Sequence, residues 1–308
     1  MTIKNVARHD VSEQRIQQAL EDIWGRAFSR WHTMRYDCYS DAELAGMRDE
    51  LLDHIAARTV ADPAPDTAPS HIVLRTAAEC AMGLLDLGCY PNGDHEISFT
   101  LINQRLSSED TDFEAVVEQV ATAESWLAAF ALSVISGMVW ERDLVIGLLL
   151  RGDIAPDIHN GVPHSKLESK SDPGELAEMD ALCGYLAQAE GHLPRHWPSV
   201  TLCKPTAGER ADAKRQLDML DALTPDQRLL RVLMEDDQPA FEEALEQRLV
   251  QHRESAPFDA APRSLLPHQT IALAALAVQV HGWDLRVRSA YLPQALLSAP
   301  EGAPSVSG

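Results

Sequence analysis

Residues 126–151 read WLAAFALSVISGMVWERDLVIGLLLR, the longest apolar run in the chain, interrupted once by Glu141, Arg142 and Asp143. Its uncharged part, Trp126 to Trp140, is 15 residues long, short of the roughly 20 that a membrane-spanning helix needs. Three consecutive charges project around more than half of a helix circumference, which a lipid-exposed helix does not hide cheaply. The pattern therefore predicts a buried central helix. Ala129, Ser133, Ser136, Gly137 and Gly147 line one side of it, where small residues let another backbone approach. Trp126, Phe130, Val134, Met138 and Leu148 fall elsewhere around the axis. A helix that is apolar nearly all round is surrounded by other helices, so the fold class expected is all-α, a compact multi-helix bundle.

Outward from this stretch the helical spacing continues. Toward the N-terminus, HIVLRTAAECAMGLLDL (71–87) is apolar on nearly every face, and Gly88 ends it. The segment that follows, CYPNGDHEISFTLI, carries a tight-turn Asn92-Gly93 and then alternates, which predicts at most one short β-hairpin near 95–103. Earlier helices are predicted from Val11, through Ile16, Leu20, Ile23, Trp24, Ala27 and Trp31, and from Ser40, through Leu44, Met47, Leu51, Leu52 and Ile55. Toward the C-terminus, residues 152–172 are rich in Gly, Pro, Asn and Ser and read as a long irregular loop, a candidate functional surface. Asp172-Pro173-Gly174-Glu175 opens a helix with an N-cap and a first-turn proline. Thr224-Pro225-Asp226-Gln227 is a capping box. Two helices close around the short connector at 235–239 and form a repeat-like hairpin over about 225–254. Ile271 to Val278 is another buried helix. Residues 294–308 show no periodicity and read as a disordered tail. The organisation expected is one helical domain over 1–293, with possible sub-lobes 1–151 and 172–293.

Composition bounds the function. The chain has 308 residues, 45% apolar and 24% charged, enough for a sizeable core. Lys and Arg number 26 against 47 Asp and Glu, a net charge of −21. That field disfavours nucleic acid and anionic membranes and draws basic partners in. The five cysteines are widely spaced and form no CxxC pair, so neither a zinc knuckle nor a disulfide framework is expected. MTIKNVARHD has no apolar segment behind its charges, so no secretory signal is read there and a cytoplasmic location is expected.

No motif for a serine nucleophile, a phosphate loop, a dinucleotide fold or a zinc protease occurs. Glu50 and His54 share one helix face but are one pair among solvated charges. Neither metal nor cofactor is expected. The residues that stand out are carboxylates inside apolar helices: Glu79 and Asp86, seven apart and so on one face, with Glu141 and Asp143 in the central stretch. Buried carboxylates need partners or raised pKa values. Structural pairing is the plainer account, with Arg75 four residues before Glu79 and Arg142 beside Glu141. An enzymatic account groups Glu79, Asp86 and Glu141 with His95, should its loop fold back. His281, near the end of an Ala/Leu helix, reads as a C-terminal helix cation or a core histidine. The six tryptophans are too scattered to suggest a stacking platform.

Four stretches taken together carry a resemblance: LRTAAECAMGLLDLGCYPNGDHEISFTLI (74–102), ERDLVIGLLLR (141–151), the hairpin LTPDQRLLRVLMEDDQPAFEEALEQRLVQHRES (223–255), and LLPHQTIALAALAVQVHGWDL (265–285) ending in Tyr291-Leu292-Pro293. Their order resembles the immunity protein 49 family of bacterial polymorphic-toxin systems, over roughly residues 10–293. The resemblance implies an all-α cytoplasmic protein that protects its producer by binding a toxin domain. It brings no catalytic residues. A basic cognate toxin fits the charge, and the expected contacts are Glu235, Asp236 and Asp237 with Glu242 and Glu243, and the loop 152–172. Two other readings stay open: an all-α enzyme of bacterial specialised metabolism with a carboxylate-lined pocket, and a helical adaptor built on the 225–254 hairpin. Oligomeric state is not legible.

Overall fold

A computed structural model describes residues 3–62, 66–191 and 193–303. The chain begins with strand β1 (Lys4–Val6), then α1 (Glu13–Leu20) and α2 (Ile23–His32), which runs straight into a π turn at Thr33–Asp37. Helices α3 (Asp41–Ala61) and α4 (Ala68–Cys89) follow, then the hairpin β2 (Glu96–Phe99) and β3 (Gln104–Ser107), and short α5 (Phe113–Val116). Helix α6 spans Ala123–Ile135, and two single turns, α7 (Ile146–Leu148) and α8 (Ala155–His159), flank a second π turn at Leu149–Ile154. The last third holds α9 (Pro173–Cys183), α10 (Ala207–Asp218), α11 (Pro225–Leu233), α12 (Gln238–Ser255), α13 (His268–Gln279), β4 (Val287–Ser289) and α14 (Gln294–Leu297). The fold is all-α in character, with two small two-stranded sheets.

The core is a layer of helices whose apolar residues go nearly all round. Helix α4 packs against α3 on one side and α6 on the other, and α6 is closed off by α13 and α9. In α13 every residue from Thr270 to Ala277 is buried. One continuous buried cluster extends from Val6 to Leu297. Local signals set the helix starts. Thr122 and Ser125 form a reciprocal capping box for α6, Thr224 and Gln227 for α11, and Asp172 accepts from Gly174 N at 2.7 Å to open α9. Each cap satisfies backbone N–H groups that the helix itself leaves unpaired.

The central stretch departs from expectation. It is not one helix: α6 stops at Ile135, and Gly137 takes φ +81°. A left-handed glycine after a helix's last turn is the usual way such a helix ends. The chain then crosses to the surface, which is why Arg142 and Asp143 are exposed rather than buried in mid-helix. It returns beside α6, where Trp126 Nε1 donates to the Leu150 carbonyl at 3.0 Å. Apolar content marked the segment as interior; it could not show that Ser136-Gly137 folds the interior segment back on itself.

Four smaller findings concern the loops, the sheets and the ends. The segment expected as loop 152–172 begins inside the second π turn and α8, and only 160–172 is irregular. The hairpin expected near 95–103 is antiparallel, pairing Glu96 with Ser107 and Phe99 with Gln104, and it reverses through Asn103 at φ +51°. A second sheet was not foreseen: β1 pairs in parallel with β4, Lys4 opposite Val287, and ties the two ends of the chain together. The tail expected as disordered from 294 carries α14 with Leu296 and Leu297 buried, because those two leucines close the end of α13. Residues 304–308 of that tail lie outside the described residues.

Candidate functional site

Of the carboxylates expected inside apolar helices only Glu79 is buried; Asp86 and Glu141 are half-exposed, Asp143 is exposed, and the first three fall into two separate clusters. In the first, Arg75 bridges two acids: its Nε donates to Glu79 at 3.0 Å and its Nη1 to Glu141. Glu79 also accepts from the Thr100 backbone N–H at 2.8 Å and from the Thr100 hydroxyl. The carboxylate of Glu79 therefore ties α4 to the hairpin, and Glu141 is reached only because the chain has left α6. In the second cluster, His95 Nδ1 lies 2.8 Å from Asp86 Oδ2, and Nε2 faces the Tyr90 carbonyl. Both ring nitrogens face acceptors, so the ring donates from both. Burial pulls the His95 pKa down, but the bonds to Asp86 and Tyr90 outweigh it and hold the pKa above its ordinary value. The loop after Asn92-Gly93 does fold back onto α4, as the enzymatic account required, yet it reaches Asp86 alone. None of Glu79, Asp86, His95 or Glu141 lines the largest cleft.

That cleft, about 950 Å³, opens between α3, α4, the start of α6 and the turn before α13. Arg48, Arg263, His268, Glu118 and Glu124 are among the residues that line it. Both arginines are engaged: Arg48 Nη2 is 2.8 Å from Asp49, and Arg263 Nη1 is 2.8 Å from Asp53. Ser264, also on the cleft, has a histidine within reach, but the bonds run the wrong way for a nucleophile. Its hydroxyl donates to the Ala261 carbonyl at 2.6 Å, so His9 Nε2, at 2.8 Å, donates to Ser264 rather than accepting from it. His9 Nδ1 then accepts from the Tyr291 hydroxyl at 2.6 Å, and that hydroxyl accepts from the His9 backbone N–H at 2.8 Å. The chain of bonds joins the two ends of the protein. Among the described residues, no three His, Cys, Asp or Glu side chains are grouped as a metal ion would require.

Most of the acids expected to meet a partner already have partners within the chain. Glu235 accepts from Lys214 at 2.6 Å and Arg231 at 3.1 Å. Asp236, at φ +59°, gathers Lys204 at 2.7 Å, Arg210 at 3.2 Å and His281 Nδ1 at 2.8 Å. Asp237 caps α12 through Ala240 N at 3.1 Å. Glu242 is buried and accepts from Gln238 at 2.8 Å and from the Arg286 N–H at 3.1 Å. Of the five, Glu235, Asp237 and Glu243 are exposed, Asp236 is half-buried and Glu242 is buried. His281 is a core histidine, its Nε2 on the Tyr185 hydroxyl at 2.8 Å. Burial lowers its pKa against the pull of Asp236.

A surface that sequence reasoning passed over lies on α2. Trp24 and Phe28 stack with ring centroids 5.1 Å apart and planes 10° from parallel. His32 is 6.4 Å from Phe28, and Tyr36 is 4.8 Å from His32. Trp24 is 50% exposed and Tyr36 63%. The signal was the four-residue spacing 24, 28, 32, 36, which places aromatics in one row along a helix.

What the fold and these clusters define is a helical protein that presents surfaces, with its conspicuous charged groups spent on holding it together. The particular family follows from comparison. The model of the family described as Immunity protein 49 matches residues 62–296, well over half of the chain, and the chain belongs to that family. Among curated proteins and among solved structures, nothing matches. Among the described residues no helix is long and apolar enough to cross a membrane.

Proposed function

We propose that this protein is an immunity factor that binds and neutralises a cognate bacterial toxin domain in the cytoplasm of the cell that makes it. The family match over residues 62–296 carries the reading. Physical chemistry supports it. Inhibition by affinity needs a rigid, complementary surface and no reacting group, and the charge of −21 would speed association with a basic toxin, such as a nuclease that binds phosphate. The acids that produce this field include Glu235, Asp237 and Glu243, which are exposed.

Co-expression tests the reading. A toxin domain encoded beside this gene should arrest growth alone, and growth should return when this chain is made with it. The two purified proteins should co-elute in gel filtration. Continued arrest together with separate elution would overturn the proposal.

A further inference from the structure

In the row formed by Trp24, Phe28, His32 and Tyr36, Phe28 packs against the core while the other three stand exposed, and the construction of the row is specific. In a straight α-helix a four-residue step overshoots one turn by about 40°, so a row spaced by four drifts round the axis. Here α2 passes into the π turn at Thr33–Asp37, closed by Cys38 N on the Thr33 carbonyl at 3.1 Å. The wider turn takes back part of the drift and leaves Tyr36 against His32 instead of rotated away. Trp31, beside the row and in ring contact with Phe28 at 5.2 Å and Tyr36 at 5.9 Å, anchors the helix: it is buried and its Nε1 donates to the Arg105 carbonyl at 2.9 Å. The exposed rings are thus held on a fixed backbone and brace one another.

We propose that this row is the surface on which a basic toxin domain docks, with its arginine and lysine side chains laid against the ring faces. The inference rests on the immunity reading and assigns it a place. Three observations select this occupant. The faces of aromatic rings attract cations, and one such contact is already built: the Arg35 guanidinium carbon lies 5.6 Å from the centre of the Tyr36 ring. The row is bracketed by exposed carboxylates, Glu21 at one end and Asp37 at the other. A second copy of this chain would bring −21 against −21, which opposes self-association through the same face. Tryptophan and tyrosine are also the side chains that most often dominate binding energy at protein interfaces, and braced rings lose little freedom when covered. The row spans about 18 Å at a helical rise of 1.5 Å per residue, the length of an interface core rather than of a whole interface. It lies outside residues 62–296, the part matched by the family model, so the shared framework and this contact surface are separate parts of the chain.

The test uses the toxin domain encoded beside this gene, in catalytically inactivated form, titrated calorimetrically with the full chain. The double variant Trp24→Ala, Tyr36→Ala should raise Kd at least 100-fold. Tyr36→Phe, which keeps the ring face, should stay within threefold of the unaltered chain. Melting temperatures of the free variants should match the unaltered chain, since both side chains are largely exposed; circular dichroism checks this. Binding by the unaltered chain that the double variant reproduces within threefold overturns the proposal and leaves the immunity reading standing. No binding by the unaltered chain overturns both. Sedimentation showing a dimer that the double variant dissolves would assign the row to self-association and overturn the proposal as well.

Discussion

Arg248 grips Asp226 with two parallel hydrogen bonds, Nε at 2.9 Å and Nη2 at 2.8 Å, in a site where the Asp226 residue is only 8% exposed. Thr270 adds its hydroxyl to the same carboxylate at 2.6 Å. Asp226 belongs to α11, Arg248 to α12 and Thr270 to α13, so one carboxylate fastens the helical hairpin to the core layer. Removing one partner of a buried pair strands the other charge, at a cost of about 3–5 kcal/mol. Arg248→Met should therefore lower unfolding free energy by that amount in urea titrations followed by circular dichroism. The combined change Asp226→Leu, Arg248→Met should cost less than Arg248→Met alone. A loss below about 1 kcal/mol for Arg248→Met would show that the clasp is not what holds the hairpin.

Glu178 lies close to this clasp without a cation of its own. Burial first, and then the nearby Asp226 charge, raise its pKa to about 7, against a smaller opposing effect from Gln227. In the unfolded chain the group ionises near 4.5. Between these values the folded state holds a proton that the unfolded state has lost, so stability falls as pH rises through that window. At pH 8 the deficit amounts to about 3 kcal/mol. Glu178→Gln should raise the melting temperature at pH 8 and give almost no gain at pH 4.5. An equal gain at both values would mean that the carboxyl is not titrating there.

His268 has the opposite sign. Burial, and then the Arg48 charge, push its pKa down to about 4. Below pH 6.5 the unfolded chain takes up a proton that the folded state refuses down to about pH 4, so stability falls as pH falls through that range. Allowing for the solvent that reaches the cleft, the loss is about 2 kcal/mol. Thermal melts from pH 7 to 4.5 should steepen in the Glu178→Gln background, where the compensating carboxyl is gone. They should flatten in His268→Gln. An unchanged slope in His268→Gln would remove this histidine from the acid response.

The clasp also shows why part of this fold was legible and part was not. Helices over 68–89, 225–255 and 268–279 follow from apolar spacing and caps, because the information lies within each segment. Asp226 read as a first-turn acid in Thr-Pro-Asp-Gln, a position that carboxylates occupy for the helix dipole alone; nothing local announces an arginine 22 residues on. The β1–β4 pairing joins strands of three residues each from opposite ends of the chain, too short to carry a pattern. Glu235 and Asp236 looked free because the cations that pair with them come from α10, α11 and the 204 loop. Trp24 was counted with Ile23 as core because periodicity finds a helix's apolar positions without saying which of them another element will cover.

Arg75 offers a check on the pairing account of the interior acids. Its removal leaves the buried Glu79 with only Thr100 as partner and frees Glu141 to solvent. Arg75→Leu should destabilise by about 3 kcal/mol or more at pH 7. Most of that loss should be recovered in the double variant Glu79→Gln, Arg75→Leu, where no charge is left stranded. A penalty as large in the double variant as in Arg75→Leu would show that Arg75 acts by packing alone.

The last prediction returns to the apolar stretch that looked like one helix. Gly137 and Gly147 both lie in it, and only one of them is needed as glycine. Gly137 has φ +81°, and a methyl group added there would also meet Pro300 Cγ at 3.2 Å. A side chain in the left-handed region costs roughly 1–2 kcal/mol. Gly147 lies in α7 with no positive φ, and a methyl group there would meet Leu186 and the Thr201 carbonyl at 3.5 Å, ordinary contact distances. Replacing a helical glycine by alanine is worth up to about 1 kcal/mol where the space allows. Gly137→Ala should therefore lower the unfolding midpoint, and Gly147→Ala should leave it unchanged or raise it. If Gly137→Ala were as stable as the parent, the chain could cross that point in a right-handed conformation, and the break that brings Glu141 to Arg75 would not depend on glycine.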